Sequence, residues 1–246
     1  MLITSRTNSR VKETRALLRA KERHASGCHI IQGEKLVAEA VQSGIEIKDV
    51  FVLEGHPFRE GERVYRVTES VMEAMTDLDT PPAVLATAVT PDLALPHPYP
   101  EGLIVALDRL QDPGNLGSII RTADAMGAAG VLVSADSADP YGPKALRAAM
   151  GSNYHVKIWI GSLVDELRSL RELGASLLAG HLKGAERFPE IGSRCVAVIG
   201  NEGRGVSGEA AEFCELIRLP MKGRAESLNA SAAAAILLYE LSKRMP

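Results

Sequence analysis

Apolar residues recur along the second half of the chain in short, near-continuous runs, at 103–107, 131–134, 155–160, 176–179, 195–199 and 216–219. Stretches with helical spacing lie between most of them, at 118–127, 143–150, 162–173, 207–214 and 227–243. Strands this uniformly apolar are covered on both faces, and strands alternating with helices are joined by crossovers. The pattern therefore predicts an α/β domain built on a mainly parallel sheet. Ser162, followed by Asp165, has the form of a capping box at the head of one of its helices.

The first 90 residues read differently. Asn8-Ser9 precedes a stretch over 10–26 that reads as one capped helix, and Lys12, Arg15, Arg19 and Arg23 follow at spacings of 3, 4 and 4, on one face of it. Short apolar runs at 29–31, 50–53 and 63–67 then alternate with helical stretches at 34–43 and 69–76, which predicts a small mixed α/β unit. Four prolines within 90–102 remove backbone donors and favour extended chain. The expected organisation is an N-terminal domain over 1–90, a linker over 91–102 and a second domain over 103–246.

Composition narrows the class. The chain has 246 residues, 46% hydrophobic and 24% charged, which excludes disordered and fibrous proteins. Aromatic content of only 4% leaves the core to aliphatic side chains. A net charge of −3 excludes a protein that coats nucleic acid by bulk electrostatics. Basicity is nevertheless concentrated: residues 1–25 hold seven Lys/Arg against two Glu, +5, leaving −8 for the remainder. Residues 140–160 lack acids and carry Lys144, Arg147 and Lys157. Cys28, Cys195 and Cys214 form no CxxC pattern, so neither a disulfide framework nor a metal site is expected. No apolar run reaches the length of a membrane span and no signal-type stretch opens the chain, so a soluble cytoplasmic protein is expected.

Three loops fall where the predicted strands end, which is where ligands collect in doubly wound sheets. They are 108–118, Gly200-Asn-Glu-Gly-Arg-Gly-Val-Ser, and 219–231. Turns alone need the glycines, and Ser227 and Asn229 could be plain N-caps. Turns do not need Asn115, Arg121, Glu202 and Asn229 together. No GxxxxGK[ST] and no GxGxxG occurs, so the loops suit a ligand held by main-chain groups rather than a cradled phosphate.

Asn115-x-Gly-x-x-x-Arg121, Gly200-Asn-Glu-Gly-x-Gly-Val and Leu219-Pro-Met-x-Gly-x-x-Glu-Ser-Leu-Asn-Ala-Ser resemble, in order, the three signature motifs of the SpoU/TrmH family. Those proteins are S-adenosylmethionine-dependent RNA ribose 2′-O-methyltransferases of the SPOUT superfamily. Thr4-Ser-Arg-Thr-Asn-Ser and Gln32-Gly-Glu-Lys resemble the family's N-terminal substrate-binding domain, so the likeness covers nearly the whole chain. It implies a C-terminal trefoil knot, a homodimer with its active site near the interface, and S-adenosylmethionine held at Gly200, Leu219, Met221 and Leu228, with Ala179-Gly180-His181 as a wall. It implies catalytic roles for Asn115, Arg121, Glu202, Ser227 and Asn229. Asn115 and Asn229 suit orientation of the reactants. Arg121 suits a bidentate grip on phosphate, and family proposals also make it the proton acceptor. Glu202 would orient Arg121 or the substrate, and Ser227 would bond the cofactor or a loop. Lys12, Arg15, Arg19 and Arg23 become candidate RNA contacts, with a solvated helix face as the plainer reading.

The chain departs from the family pattern at Thr80-Pro-Pro-Ala and at Asn153-Tyr-His-Val-Lys, which bears on which RNA is bound. A separate N-terminal domain favours ribosomal over transfer RNA. Three other readings stand beside this one: a non-catalytic RNA-binding relative acting in ribosome assembly, a SPOUT enzyme methylating a base, and, least favoured, a small-molecule enzyme that leaves the N-terminal domain without a task.

Overall fold

The computed structural model describes residues 2–59 and 61–246. In chain order the elements are β1 (Leu2–Ile3), α1 (Ser9–Ala16), α2 (Ala20–Ser26), β2 (Cys28–Gln32), α3 (Glu34–Gln42), β3 (Ile47–Leu53), β4 (Val64–Val67), α4 (Glu69–Met75) and β5 (Val84–Val89). The second half continues with β6 (Gly102–Leu107), α5 (Pro113–Ala125), β7 (Gly130–Ser134), α6 (Pro143–Ala149), β8 (Ile158–Gly161) and α7 (Leu163–Glu172). It ends with β9 (Ser176–Ala185), β10 (Arg194–Ile199), α8 (Gly208–Ala211), β11 (Glu215–Ile217) and α9 (Ala230–Ser242).

The second sheet has six strands in the order β11-β9-β10-β6-β7-β8, all parallel. Alternation within each strand builds two cores. Leu103, Val105, Leu107, Cys195, Ala197 and Ile199 face α5, α6 and α9, whereas Ile104, Ala106, Val196 and Val198 face α7. The chain runs outward from β6 to β8 and then returns across the sheet, so β10 is inserted beside β6. That reversal places the loops after β6 and β10 next to each other at the carboxyl edge. Gly117 lets α5 pack closely on α6, since a Cβ there would lie 2.3 Å from the Ala145 carbonyl oxygen. Ser162 heads α7, but its hydroxyl donates to the Asp165 carboxylate at 2.6 Å rather than forming the expected reciprocal box.

The N-terminal sheet has the order β1-β4-β3-β5-β2. β5, which the sequence pattern does not announce, runs antiparallel between β3 and β2. The basic helix over 10–26 is also corrected, because it is two helices with a break at 17–19. Leu17 turns into the core, Arg19 is extended at φ −96° and ψ 132°, and the Arg23 guanidinium donates to the freed carbonyls of Leu17 and Leu18 at 2.8 and 3.0 Å. Its Nη2 and Nε atoms lie 2.7 Å from Asp139 of the second domain. Arg23 is therefore buried and cannot meet RNA. Lys12, Arg15 and Arg19 remain exposed.

The seam between the domains is polar and built from the stretch that departs from the family pattern. His29, fully buried on β2, bonds Thr90 Oγ1 at 3.2 Å and Tyr154 Oη at 3.0 Å, with the Tyr141 ring 5.1 Å away. Asn153 donates to the Pro140 carbonyl at 2.7 Å, and His155 lies between Glu39 (2.8 Å) and Asp124 (3.1 Å). Arg147 pairs with Asp77 and Lys144 with Asp112, so two of the three cations in the acid-free stretch serve the protein itself.

Two outcomes follow from the seam. Removing one partner of a buried ion pair strands the other, so Arg23→Ala should lower stability by about 3 kcal/mol in urea unfolding, while Lys12→Ala stays within roughly 0.5 kcal/mol. Burial, opposed by Asp139 and reinforced by Arg23, lowers the pKa of His29 to about 4. A depressed histidine binds its proton more readily in the unfolded chain. Its contribution is therefore complete above about pH 6.5 and is lost as pH falls towards 4, on the order of 3 kcal/mol, and His29→Gln should flatten that part of the stability–pH curve.

Candidate active site

The site lies at the carboxyl edge where β6 and β10 end. After β6, Asp108 is buried and accepts the Ser207 N–H at 2.6 Å, which ties the first loop to the second. Asp112 caps α5: its Oδ1 accepts the Asn115 N–H at 2.8 Å, and Pro113 fills the first helical turn. Lys144 and the Asn115 N–H hold the Asp112 carboxyl below its usual range.

After β10 the chain folds back on itself. Asn201 and Gly205 exchange main-chain hydrogen bonds of 3.0 and 2.9 Å, with Gly205 at φ +69°. Gly200 passes so close to this turn that a Cβ would lie 2.1 Å from the Gly205 carbonyl carbon and the Val206 nitrogen. Only glycine fits there.

Glu202 projects from the turn to the first loop. It accepts the main-chain N–H of Asp112 at 3.0 Å, that of Gln111 at 3.3 Å, and Asn115 Nδ2 at 3.3 Å. Burial raises its pKa, but its own main-chain N–H together with these donors outweighs burial and holds the carboxyl below its usual range. The Asn115 Oδ1 in turn accepts from Asn229 Nδ2 at 3.1 Å, and Asn229 caps α9 by accepting from the Ser231 N–H and hydroxyl. One continuous chain of hydrogen bonds, Glu202–Asn115–Asn229, thus joins all three loops.

Beside this chain lies a cavity of about 410 Å³, whose walls combine glycines and aliphatic residues with His181, Lys183, Glu202 and Arg204. That is within the roughly 300–1,000 Å³ of small-molecule sites. Among the described residues the main-chain N–H groups of Leu219, Met221 and Leu228 make no hydrogen bond. The walls suit an organic ligand with both polar edges and an apolar body.

The chain from 102 to 239 matches the SpoU rRNA Methylase family, and residues 8–86 match the MRM3-like substrate binding domain. The chain belongs to the SpoU rRNA methylase family. It is 33% identical to the 23S rRNA (guanosine(2553)-2′-O)-methyltransferase RlmP of Bacillus subtilis, over 97% of this chain and 98% of that one. It is 30% identical to the 23S rRNA (uridine(2479)-2′-O)-methyltransferase of Streptomyces viridochromogenes, over 97% and 90%. Among solved structures, the AdoMet-bound rRNA methyltransferase from Sinorhizobium meliloti superposes with a TM-score of 0.88 at 34% identity, covering 100% of this chain and 98% of that one.

The SpoU motifs do not all meet in one place. Asn115, Glu202 and Asn229 are in contact, and Ser227 lines the cavity with Gly180, Gly200, Leu219, Met221 and Leu228. Ala179 does not. It is fully buried in β9, paired with Val198 and Leu216, because the strand runs on past it to Ala185. Lys183, Ala233 and Leu237 also line the cavity, and the sequence does not mark them, since strand continuation after 179 is polar and α9 reads as core. Arg121 lies six positions after Asn115 on α5, facing about 120° away from it. It is exposed and makes no hydrogen bond or ion pair among the described residues; Asp124 is engaged by His155 instead.

Gly200 is the steric pivot of the SpoU cavity. Gly200→Ala should lower stability by about 2 kcal/mol or more in thermal or urea unfolding, as overpacking against rigid backbone does. Gly203→Ala, where a Cβ meets nothing closer than 3.8 Å, should be nearly neutral.

Proposed function

We propose that this protein transfers a methyl group from S-adenosylmethionine to a ribose 2′-hydroxyl of ribosomal RNA. The observation that carries the reading is the Glu202–Asn115–Asn229 chain beside the first cavity, in a chain two of whose relatives are named 23S rRNA 2′-O-methyltransferases over nearly its whole length. Those relatives are named for a guanosine and for a uridine, so membership leaves the target base open.

The cofactor supplies an electrophilic methyl sulfonium. The walls at Gly180, Gly200, Leu219, Met221 and Leu228 would hold it, and Ser227, which lines the same cavity, would offer it a hydroxyl. A ribose hydroxyl is a poor nucleophile, so the protein must align it and assist loss of its proton. Glu202 is unsuited to accept that proton, because its oxygens are already bonded to three donors and its pKa is held down. Its task is to fix Asn115. Asn115 and Asn229 present their remaining amide edges to the ribose. Arg121, free of protein partners, grips the adjoining phosphate bidentately, and the clamped phosphate takes the proton more readily than a guanidinium would. The exposed cations Lys12, Arg15 and Arg19 guide the RNA on the N-terminal domain.

The same reading includes a homodimer and a knotted C-terminal segment. Ile236 and Tyr239 are exposed on one face of α9, and Leu182 and Leu228 are exposed beside the cavity, which supports a second copy closing over the site. A ribosomal RNA substrate supports a cytoplasmic location.

Labelled methyl transfer to an unmodified 23S rRNA transcript tests the proposal. Asn115→Ala should lower kcat/KM by about 10²–10³ with cofactor affinity retained, by analogy with loss of one preorganised transition-state contact. Arg121→Ala should lose rate and RNA affinity together. Cofactor binding without transfer to any ribosomal RNA would overturn the proposal in favour of a binding protein.

A further inference from the structure

A second cavity, of about 500 Å³, adjoins the first and shares Asn201 and Arg204 with it. Its other walls are Arg109, Gln111 and Asp136. None of the three motif signatures accounts for Arg109 or Asp136.

The frame of this cavity is built. Asn201 Nδ2 donates to the Arg109 carbonyl at 2.8 Å, while its Oδ1 accepts the Gly203 and Arg204 N–H groups at 3.0 and 3.1 Å. One side chain thus fixes the two segments that carry the arginines. Gln111 Nε2 bonds the carbonyls of Asp136 at 2.7 Å and Arg109 at 3.3 Å, which joins the loops after β6 and β7. Arg109 sits at φ +55°, a conformation that non-glycine residues adopt only when neighbours hold them there. Ser134 Oγ, accepting the Arg109 N–H at 2.8 Å, is the third such restraint.

The charged tips are left open. Arg204 and Asp136 are exposed, and neither makes an ion pair among the described residues, although they line one cavity. Arg109 has only Asp108, 3.3 Å from its Nε. Two guanidiniums alone would suit phosphate. The carboxylate of Asp136 repels phosphate and asks for paired donors. Guanine offers both: an N1–H/N2–H edge that matches the two oxygens of a carboxylate, and an O6/N7 edge that matches an arginine fork.

We infer that this cavity receives the base of the target nucleotide and selects guanine, with Asp136 accepting from N1–H and N2–H and Arg204 and Arg109 donating to O6 and N7. The inference rests on the methyl-transfer reading, because the ribose attached to that base must reach the neighbouring cavity. Asn201 and Gln111 are positioning residues.

The test uses the full chain, S-adenosylmethionine and an unmodified 23S rRNA transcript, with the product digested to nucleosides for mass spectrometry. The expected product is 2′-O-methylguanosine. The mapped site is then placed in a short hairpin carrying guanosine or inosine, which lacks the 2-amino group. The wild type should prefer guanosine by about 10- to 100-fold in kcat/KM, the worth of one good base contact. Asp136→Asn should bring that ratio close to one, and Arg109→Ala, at a residue that lines the second cavity and not the first, should lower the guanosine rate with cofactor affinity kept. A methylated uridine, cytidine or adenosine, or an unchanged guanosine-to-inosine ratio in Asp136→Asn, overturns the base pocket and leaves methyl transfer standing. No transfer to any RNA overturns both.

Discussion

The site depends on the placement of one carboxylate. Glu202 reaches from the turn after β10 to two main-chain N–H groups and one side-chain amide of the loop after β6. Neither loop is rigid by itself, since both are turns of small and polar residues whose ordering costs conformational entropy. The carboxylate offsets that cost with charge-assisted hydrogen bonds, which are roughly twice as strong as neutral ones. Because Asn115 has its Nδ2 held by Glu202, its Oδ1 is presented to Asn229, and α9 is registered against α5. Sheet topology brings the loops together, and this group fixes their geometry.

How much of this could be read from the sequence divides along physical lines. The six strands of the second domain were legible because burial on both faces writes itself as continuous apolar runs. β5 is equally buried, yet it lies between Pro81-Pro82 and the Pro-rich stretch and is hidden by their turn signals. The single helix predicted over 10–26 was wrong for a tertiary reason. Only the spacing of 3 lies within one helix, because both spacings of 4 run through Arg19 in the break, which the Arg23 guanidinium, folded onto Leu17 and Leu18, holds together. Motif order located Asn115, Glu202 and Asn229. It did not show that Glu202 holds Asn115 rather than Arg121, because spacing along the chain carries no information about which side chains meet.

The two-domain arrangement changes how the charge distribution is understood. Arg23, Lys144 and Arg147 look from the sequence like parts of basic surfaces, and each instead meets an Asp. Two of those pairs cross the seam that His29, Tyr154 and His155 also cross. The departure from the family pattern at 153–157 therefore has a structural account: Tyr154 and His155 make contacts to the N-terminal domain that apolar residues could not make. Lys12, Arg15 and Arg19 stay exposed on the N-terminal domain, Arg19 beside Glu22, while Arg109 and Arg204 line the second cavity.

A polar seam has a consequence for function. Apolar interfaces tolerate sliding, whereas a seam of directional hydrogen bonds and paired charges has one register, and shifting it would strand buried polar groups. His29 is fully buried with both ring nitrogens bonded, and Arg23 is held by two carbonyls and a carboxylate from opposite sides. The N-terminal domain is thus held at a fixed distance and angle from the carboxyl edge of the second sheet. Under the proposed function, a rigid spacing of that kind would let the exposed cations of one domain set which nucleotide of a structured RNA reaches the cavities on the other. Recognition of the RNA by shape and selection of one nucleotide within it then require no moving part, only two surfaces held in register by the seam.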